Sequence, residues 1–410
     1  MHNTPFAEQI RMVAVGLRNA GKSSLINNIF EKEISIVSDT PGTTTDPVSR
    51  SIELGKLGAV VITDTAGIDD VGPLGTLRIE KSMERTSTAD IILFVTRSDM
   101  PPDQHEKTLY EQIIKGKSQI VFVLSFCESG ENKQKTAWAE THRLVRVDNI
   151  TGRGIDSLRK TVIELSDLVS HEITPVEGLV NENDIVLLVT PIDLAAPKGR
   201  LILPQVETIR DLLDKDCCVM VCKERELRYF YDSLKSPPKL VITDSQAFSK
   251  VAADIPEKQL LTSFSILFAR KKGDLAFYVD GVRKLKSIKP GSKVLVLESC
   301  SHHRQADDIG TVKIPRLFRQ LIDSDTEFDF ARELPDNDKL KTYSLIINCA
   351  ACMVNRNLVI QRIARMRECG VPAVNYGLFL AWVNGILPRA IEPFEDIYEY
   401  YHNYKEEQDV

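Results

Sequence analysis

The chain has 410 residues, of which 43% are hydrophobic and 27% charged, with 8 cysteines and a net charge of -6. Such a length exceeds one ordinary core and calls for about two to four domains, while the composition and the short apolar runs exclude a disordered or membrane-spanning chain. The acidic balance argues against a broad basic surface for nucleic acid, and the N-terminal residues lack the apolar core of an export signal, so a cytoplasmic location with reduced thiols is expected.

From residue 11 to about residue 168, β-rich runs at 12–15, 59–63, 91–95, 120–124 and 144–147 alternate with helical stretches. That pattern predicts a parallel sheet covered on both faces. The first run leads into Gly16-Leu17-Arg18-Asn19-Ala20-Gly21-Lys22-Ser23. Here Gly16 and Gly21 let backbone N–H groups turn toward an anion, Lys22 reaches the terminal phosphates and the Ser23 hydroxyl ligates magnesium. The helix that continues through Ser24 adds its positive end to the site.

Residues 39–46, Asp39-Thr40-Pro41-Gly42-Thr43-Thr44-Thr45-Asp46, read as a polar, turn-rich loop. Thr43 or Thr44 there could supply a second hydroxyl to magnesium and order the loop around a γ-phosphate. The second run ends in Asp64-Thr65-Ala66-Gly67, where Asp64 can hold the hydration shell of magnesium and Gly67 lets its N–H approach the γ-phosphate. The two motifs on successive β-runs define a P-loop NTPase. Its catalytic candidates are Lys22, Ser23, Thr44, Asp64 and Gly67.

These motifs together resemble the translation-factor-like GTPases, most closely the TrmE-Era branch, in which the run Pro41-Gly42-Thr43-Thr44 recurs. The resemblance implies GTP and Mg2+ as ligands, with Gly16, Asn19, Gly21, Lys22, Ser23, Ser24, Thr43 and Asp64 binding them. It also implies that Asn19 helps hold K+ against the phosphates, so that hydrolysis runs faster in potassium than in sodium. Ile68 stands where Ras-like GTPases have a water-positioning glutamine, and intrinsic hydrolysis is therefore expected to be slow. The base-reading motif departs from the family: Ser125-Phe126-Cys127-Glu128 replaces Asn-Lys-x-Asp, leaving Glu128 as the carboxylate for guanine. The later loop, Asp148-Asn149-Ile150-Thr151-Gly152, lacks the usual Ser-Ala lead.

A helix over 155–170 ends the first unit, and residues 172–178, with Pro175 and Gly178, read as a linker. A second α/β unit follows, with β-runs at 184–190, 217–222 and 239–243 and no phosphate loop or acid-base constellation. A unit without chemistry of its own reads as a docking or dimerisation module. Cys217, Cys218 and Cys222 lie among Val219 and Val221 and read as buried thiols.

The third unit carries two β-runs that end in cysteine. One, 293–298, leads into Glu298-Ser299-Cys300-Ser301-His302-His303; the other, 343–348, leads into Cys349-Ala350-Ala351-Cys352 before a helix over 355–369. Two parallel strands would present these thiols at their carboxyl ends, where open α/β sheets place their sites. Cys349 and Cys352 span one turn at a helix start, and thiolates there select zinc or iron-sulfur clusters. Zinc wants four closed ligands, whereas three thiolates with an incomplete fourth position suit a cubane 4Fe-4S cluster with one exchangeable iron. A redox dithiol would leave Cys300 idle. Glu298 and His302 are the candidates for a fourth ligand.

A TrmE-Era type GTPase followed by a featureless α/β unit, then Cys-x-His and a distant Cys-x-x-Cys, resembles the HydF family of [FeFe]-hydrogenase maturation GTPases. The resemblance extends over the whole chain and includes the run Pro191-Ile192-Asp193-Leu194-Ala195-Ala196-Pro197-Lys198-Gly199-Arg200. It implies three α/β domains: a P-loop GTPase domain (1–171), a linker (172–178), a dimerisation module (179–266) and an iron-sulfur cluster domain (267–410). It further implies a homodimeric scaffold. That scaffold receives a diiron subcluster precursor from radical-enzyme maturases and passes it to apo-[FeFe]-hydrogenase, with no membrane or nucleic acid as partner. One departure stands out, since Asn348 occupies the position directly before the Cys-x-x-Cys where the family often has histidine. The other reading is a GTPase of ribosome or RNA modification that carries a structural zinc or a redox cysteine site.

Overall fold

The computed structural model describes residues 10–31, 38–40, 48–53, 59–65, 82–83, 85–114, 118–169, 173–191, 201–299 and 308–406. It divides into two compact units, Met1–His171 and Glu172–Val410. Among the described residues no helix is long and apolar enough to cross a membrane.

The first unit is built on a seven-stranded sheet with the order β2-β3-β4-β1-β5-β6-β7. All five runs read from the sequence form strands: β1 (Ile10–Val15), β4 (Ala59–Asp64), β5 (Ile91–Arg97), β6 (Gln119–Ser125) and β7 (Leu144–Arg146). They are mutually parallel. Successive residues of β1 feed opposite faces, as the period of two requires. Met12 and Ala14 join a core with Leu25 and Ile29 of the helix Lys22–Glu31 and with Leu158 and Val162 of the helix Ile155–Val169. Val13 and Val15 join another with Phe94, Leu109 and Phe122. The unbroken apolar run 12–15 of this strand is explained by this double covering.

Two strands have no counterpart among the β-runs of the sequence: β2 (Ser38–Thr40) and β3 (Val48–Glu53), an antiparallel pair added to the edge of β4. Asp39 and Thr40, assigned above to a loop, belong to β2. A three-residue polar strand has no periodicity of its own and exists through the partner it pairs with.

The second unit holds two four-stranded parallel sheets. One has the order β11-β10-β8-β9, from β8 (Ile185–Val189), β9 (Cys218–Cys222), β10 (Leu240–Thr243) and β11 (Leu261–Ser263); the other has the order β13-β12-β14-β15, from β12 (Lys293–Leu297), β13 (Glu327–Ala331), β14 (Leu345–Asn348) and β15 (Ala373–Asn375). A single buried cluster runs through both, from Val186 and Ile242 to Val294 and Ile346. The helix Phe264–Lys272 buries Phe264, Ile266, Leu267, Phe268, Ala269 and Lys272. A helix buried on successive positions, not along one stripe, is packed from several sides. Gly281, on the helix Leu275–Lys284, lies so close to β15 that a Cβ there would meet the Ala373 carbonyl oxygen at 1.8 Å.

The expectation of three buried thiols on β9 holds only in part. Cys217 is buried, Cys222 is half-buried and Cys218 is exposed. The reason is topological: β9 is an edge strand, so burial does not extend over its whole length. Burial pushes the Cys222 thiol up to about 11.

Candidate functional site

Two sites emerge, one in each unit. In the first unit the phosphate loop leaves the carboxyl end of β1 and enters the helix Lys22–Glu31. A side chain at Gly16 would place its Cβ 2.1 Å from the Val95 carbonyl oxygen, so the loop is seated against β5 with no room to spare. Asn19 and Gly21 both adopt positive φ, 59° and 89°; at Gly21 the missing Cβ removes the steric objection. The buried Lys22 ammonium donates to the carbonyls of Gly16 (3.1 Å) and Leu17 (2.8 Å), lying along the loop it would otherwise extend across.

The two motifs predicted to share a magnesium ion do meet. Ser23 Oγ donates to Asp64 Oδ2 at 2.5 Å. The other carboxylate oxygen, Oδ1, is buried with no hydrogen-bond partner among the described residues. A buried acceptor left open is costly unless something fills it, and an anionic oxygen beside a serine hydroxyl fits a hydrated divalent cation. Thr65 Oγ1 donates to Ala14 O at 2.6 Å, fixing the end of β4 to β1. Thr43, Thr44, Gly67 and Ile68 lie outside the described residues.

At the base-reading end, Ser125 does something its motif position did not announce. Its Oγ lies 2.6 Å from Ala20 O and 3.0 Å from Thr96 O, both as acceptor carbonyls, so the end of β6 is pinned to the phosphate loop. Phe126 has a left-handed backbone (φ 60°), and the Arg97 guanidinium, 4.1 Å from its ring centre, stacks on it while forking onto Asp99. Glu128 is exposed. Asn149 Nδ2 donates to Gly21 O at 3.3 Å, and Asn28 Nδ2 donates to Asn149 O at 2.8 Å, so the later loop is tied to the phosphate loop and its helix. Asp148 caps that loop by accepting from Thr151 Oγ1 and from the N–H groups of Ile150 and Thr151. The Thr151 hydroxyl, and then the Thr151 N–H, hold the Asp148 carboxyl below the usual carboxylate range.

In the second unit β12 and β14 are parallel neighbours, with Leu297 opposite Asn348. Cys349 follows at once. Its N–H donates to Leu297 O (3.0 Å), its thiol is buried at 7% exposure, and its Sγ accepts the Ser299 N–H at 3.3 Å. The strand ends predicted to bring thiols together are therefore joined through Ser299, the residue before Cys300. Cys300 and His302 themselves lie outside the described residues. The turn from Cys349 to Cys352 passes through Ala351 in the left-handed region (φ 51°), a conformation that costs a non-glycine residue about 1 kcal/mol. Cys352 is half-buried, and Asn355 then caps the helix Arg356–Glu368.

Among the described residues no group of three or more His, Cys, Asp or Glu is arranged to hold a metal. The donor set as far as it is described, two soft thiols one turn apart with an N–H aimed at one sulfur, fits thiolate ligation of a cluster. Glu298 is half-buried and its N–H pairs with Ala331 O at the end of β13 (2.9 Å). Asn348 is buried, its Nδ2 donating to the Tyr278 hydroxyl at 2.9 Å. The side chain in the departed histidine position thus faces the core tyrosine.

Family models match the chain in three stretches: "50S ribosome-binding GTPase" over residues 11–126, "Hydrogen maturase F dimerization domain" over 176–273 and "Hydrogen maturase F tetramerization domain" over 276–393. The tRNA modification GTPase MnmE of Thermotoga maritima is 33% identical over 162 residues, 37% of this chain and 35% of that protein. GTPase Der of Nitratiruptor sp. is 32% identical over 128 residues, 31% of this chain and 27% of that protein. The chain thus spans about a third of the length of the curated relatives it matches. Among solved structures, the G domain of the Thermotoga maritima FeoB iron transporter aligns with a TM-score of 0.31 and 16% identity, covering 38% of this chain and 99% of that one. Aquifex aeolicus Era bound to GDP and aluminium fluoride aligns at 0.32 and 19%, covering 52% and 93%.

Loss of the Ser125 hydroxyl should loosen the phosphate loop without unfolding the sheet. Ser125→Ala is expected to weaken binding of a fluorescent GDP analogue roughly five- to tenfold, the equivalent of about 1–1.5 kcal/mol for one buried hydrogen bond. An unchanged dissociation constant would show that β6 does not support the loop.

Proposed function

Because this chain belongs to the hydrogen maturase F family, with a TrmE/Era-type GTPase domain at its N-terminus, we propose that it is a GTP-hydrolysing carrier for hydrogenase maturation. It holds a 4Fe-4S cluster on Cys300, Cys349 and Cys352, accepts a diiron subcluster precursor from radical-enzyme maturases and delivers it to apo-[FeFe]-hydrogenase. The observation that carries this reading is Cys349, whose thiol is buried at the carboxyl end of β14 and receives an N–H from the residue before Cys300.

At the nucleotide, Lys22 would leave the carbonyls it now contacts to meet the β- and γ-phosphates of GTP, while the N–H groups of the loop cradle them. Ser23 and the open oxygen of Asp64 hold the magnesium ion and its waters, and magnesium offsets charge on the phosphates. Asn19, exposed in the loop, is the protein ligand for a potassium ion. Thr43, Thr44 and Gly67 complete the γ-phosphate contacts, and Glu128 reads guanine. Isoleucine at position 68 replaces the glutamine that positions the attacking water in Ras-like GTPases, so turnover is slow and the nucleotide acts as a switch for docking.

In the second unit, residues 179–266 pair two copies and residues 267–410 carry the cluster. When bound, the cluster supplies an iron with an exchangeable position to which a precursor ligand can attach. The chain's own part is to present three thiolates at one sheet edge. It leaves the fourth position to a group that can depart, with Glu298 and His302 the nearest candidates in sequence. For the pairing of copies, β9 is the favoured surface: it is an edge strand whose Val221 is 48% exposed, and exposed apolar edges invite a second strand.

A GTPase acting on ribosomes or RNA is what the N-terminal likeness alone would favour. The net charge of -6 speaks against it, and retention of labelled RNA on filters at physiological salt would restore it.

Cys300→Ala, Cys349→Ala and Cys352→Ala are each expected to lose reconstituted iron while GTP turnover persists. Lys22→Ala should abolish turnover and keep the iron. The turnover assay is run in potassium and in sodium, with faster hydrolysis in potassium expected. Iron retained in all three cysteine variants would refute the ligand assignment, and equal rates in the two salts would remove the role of Asn19. For the dimer, Val221→Glu sets carboxylates against each other across a two-fold edge and should yield monomer in light scattering. A dimer that persists would move the interface elsewhere.

A further inference from the structure

Two buried cations converge on the cysteine turn from different stretches of the chain. Lys272, 2% exposed, is the last residue of the helix Phe264–Lys272. Its ammonium donates to the carbonyls of Cys352 and Val354, both at 2.8 Å. Arg362, 7% exposed, lies on the helix Arg356–Glu368 that follows the turn. One arm of its guanidinium donates to Ser299 Oγ at 2.6 Å and the other to Arg332 O at 3.1 Å. Ser299 is the residue whose N–H points at the Cys349 sulfur.

Burying a charge is expensive without an opposite charge nearby. Burial is the largest influence on the Arg362 guanidinium, pulling its pKa down; Cys349 and then the Glu333 carboxylate push it back up. Three thiolates outweigh the positive charge of a cubane core, so the loaded site is anionic and becomes more so when reduced. Cations and N–H donors near the sulfurs favour the more negative, reduced state.

We propose that Lys272 and Arg362 are the positioning residues of the thiolate site: Lys272 clamps the Cys349–Cys352 turn by its carbonyls, Arg362 fixes Ser299 so that its N–H meets Cys349, and their joint charge sets the reduction potential of the bound cluster. Lys272 belongs to the stretch matched as a dimerisation domain and its acceptors to the stretch matched as a tetramerisation domain. The geometry of the turn is thereby tied to the helix Phe264–Lys272. The inference rests on the reading that Cys300, Cys349 and Cys352 hold a cluster.

The test uses the full chain, reconstituted anaerobically with iron and sulfide, and compares the wild type with Lys272→Gln, Arg362→Gln and Cys349→Ala. Glutamine keeps a hydrogen-bond donor and removes the charge. Iron content, near-ultraviolet dichroism and the midpoint of a dithionite titration followed by EPR are read for each. Both glutamine variants are expected to bind iron and to shift the midpoint negative. Lys272→Arg and Arg362→Lys are expected to return it toward the wild-type value. Wild-type midpoints in both glutamine variants, together with iron lost from Cys349→Ala, would overturn the proposal and leave the ligand assignment standing. Iron retained by Cys349→Ala would instead remove Cys349 from the ligands, and with it the reading on which the proposal rests. Should the glutamine variants not fold, the charge-preserving pair decides, since their altered donor geometry must change the EPR line shape if these side chains position the turn. An unchanged line shape overturns the proposal.

Discussion

In a parallel sheet every strand runs the same way, so the loops that follow neighbouring strands leave by one edge and must meet there. Both sites of this chain depend on that constraint. In the first unit β1 and β4 pair with Ala14 opposite Asp64, and the loops beyond them bring Ser23 to Asp64 at 2.5 Å. In the second, β12 and β14 pair with Leu297 opposite Asn348, and the residues beyond them bring the Ser299 N–H to Cys349. The chemistry differs, hard oxygens for magnesium in one case and soft sulfurs in the other, but the means of convergence is the same.

Each edge also carries local features that cost free energy elsewhere in a fold. At the phosphate loop these are a buried carboxylate oxygen with no hydrogen-bond partner among the described residues and a lysine folded onto loop carbonyls. At the cysteine turn they are Ala351 in a left-handed backbone and two buried cations. Strain and buried polarity of this kind persist where the surrounding structure overdetermines them, and they concentrate at ligand sites. Behind both sites lie buried apolar clusters, and central strands such as β1 are covered on both faces.

What was legible in the sequence was what short spacing encodes. The phosphate loop, the strand-end Asp64 and the Cys349-to-Cys352 turn are each set by residues within eight positions of one another, and the β-runs that position them are continuous apolar stretches. What was not legible depends on distant partners. The pair β2 and β3 exists by mutual pairing, and the exposure of Cys218 follows from β9 being at an edge, which no local pattern states. The roles of Ser125, Lys272 and Arg362 rest on contacts 105, 80 and 63 residues apart in sequence. A serine in place of an expected asparagine reads as a loss until its hydroxyl is seen against Ala20.

The central claim is that three thiolates present a cluster with one iron open to exchange. It is tested most directly by anaerobic reconstitution of the full chain, iron and sulfide analysis, and EPR of the reduced protein before and after addition of carbon-13 cyanide. About four irons per chain are expected, with a cluster signal that acquires hyperfine coupling to the labelled carbon. A colourless zinc protein, or a cluster signal indifferent to cyanide, would contradict it.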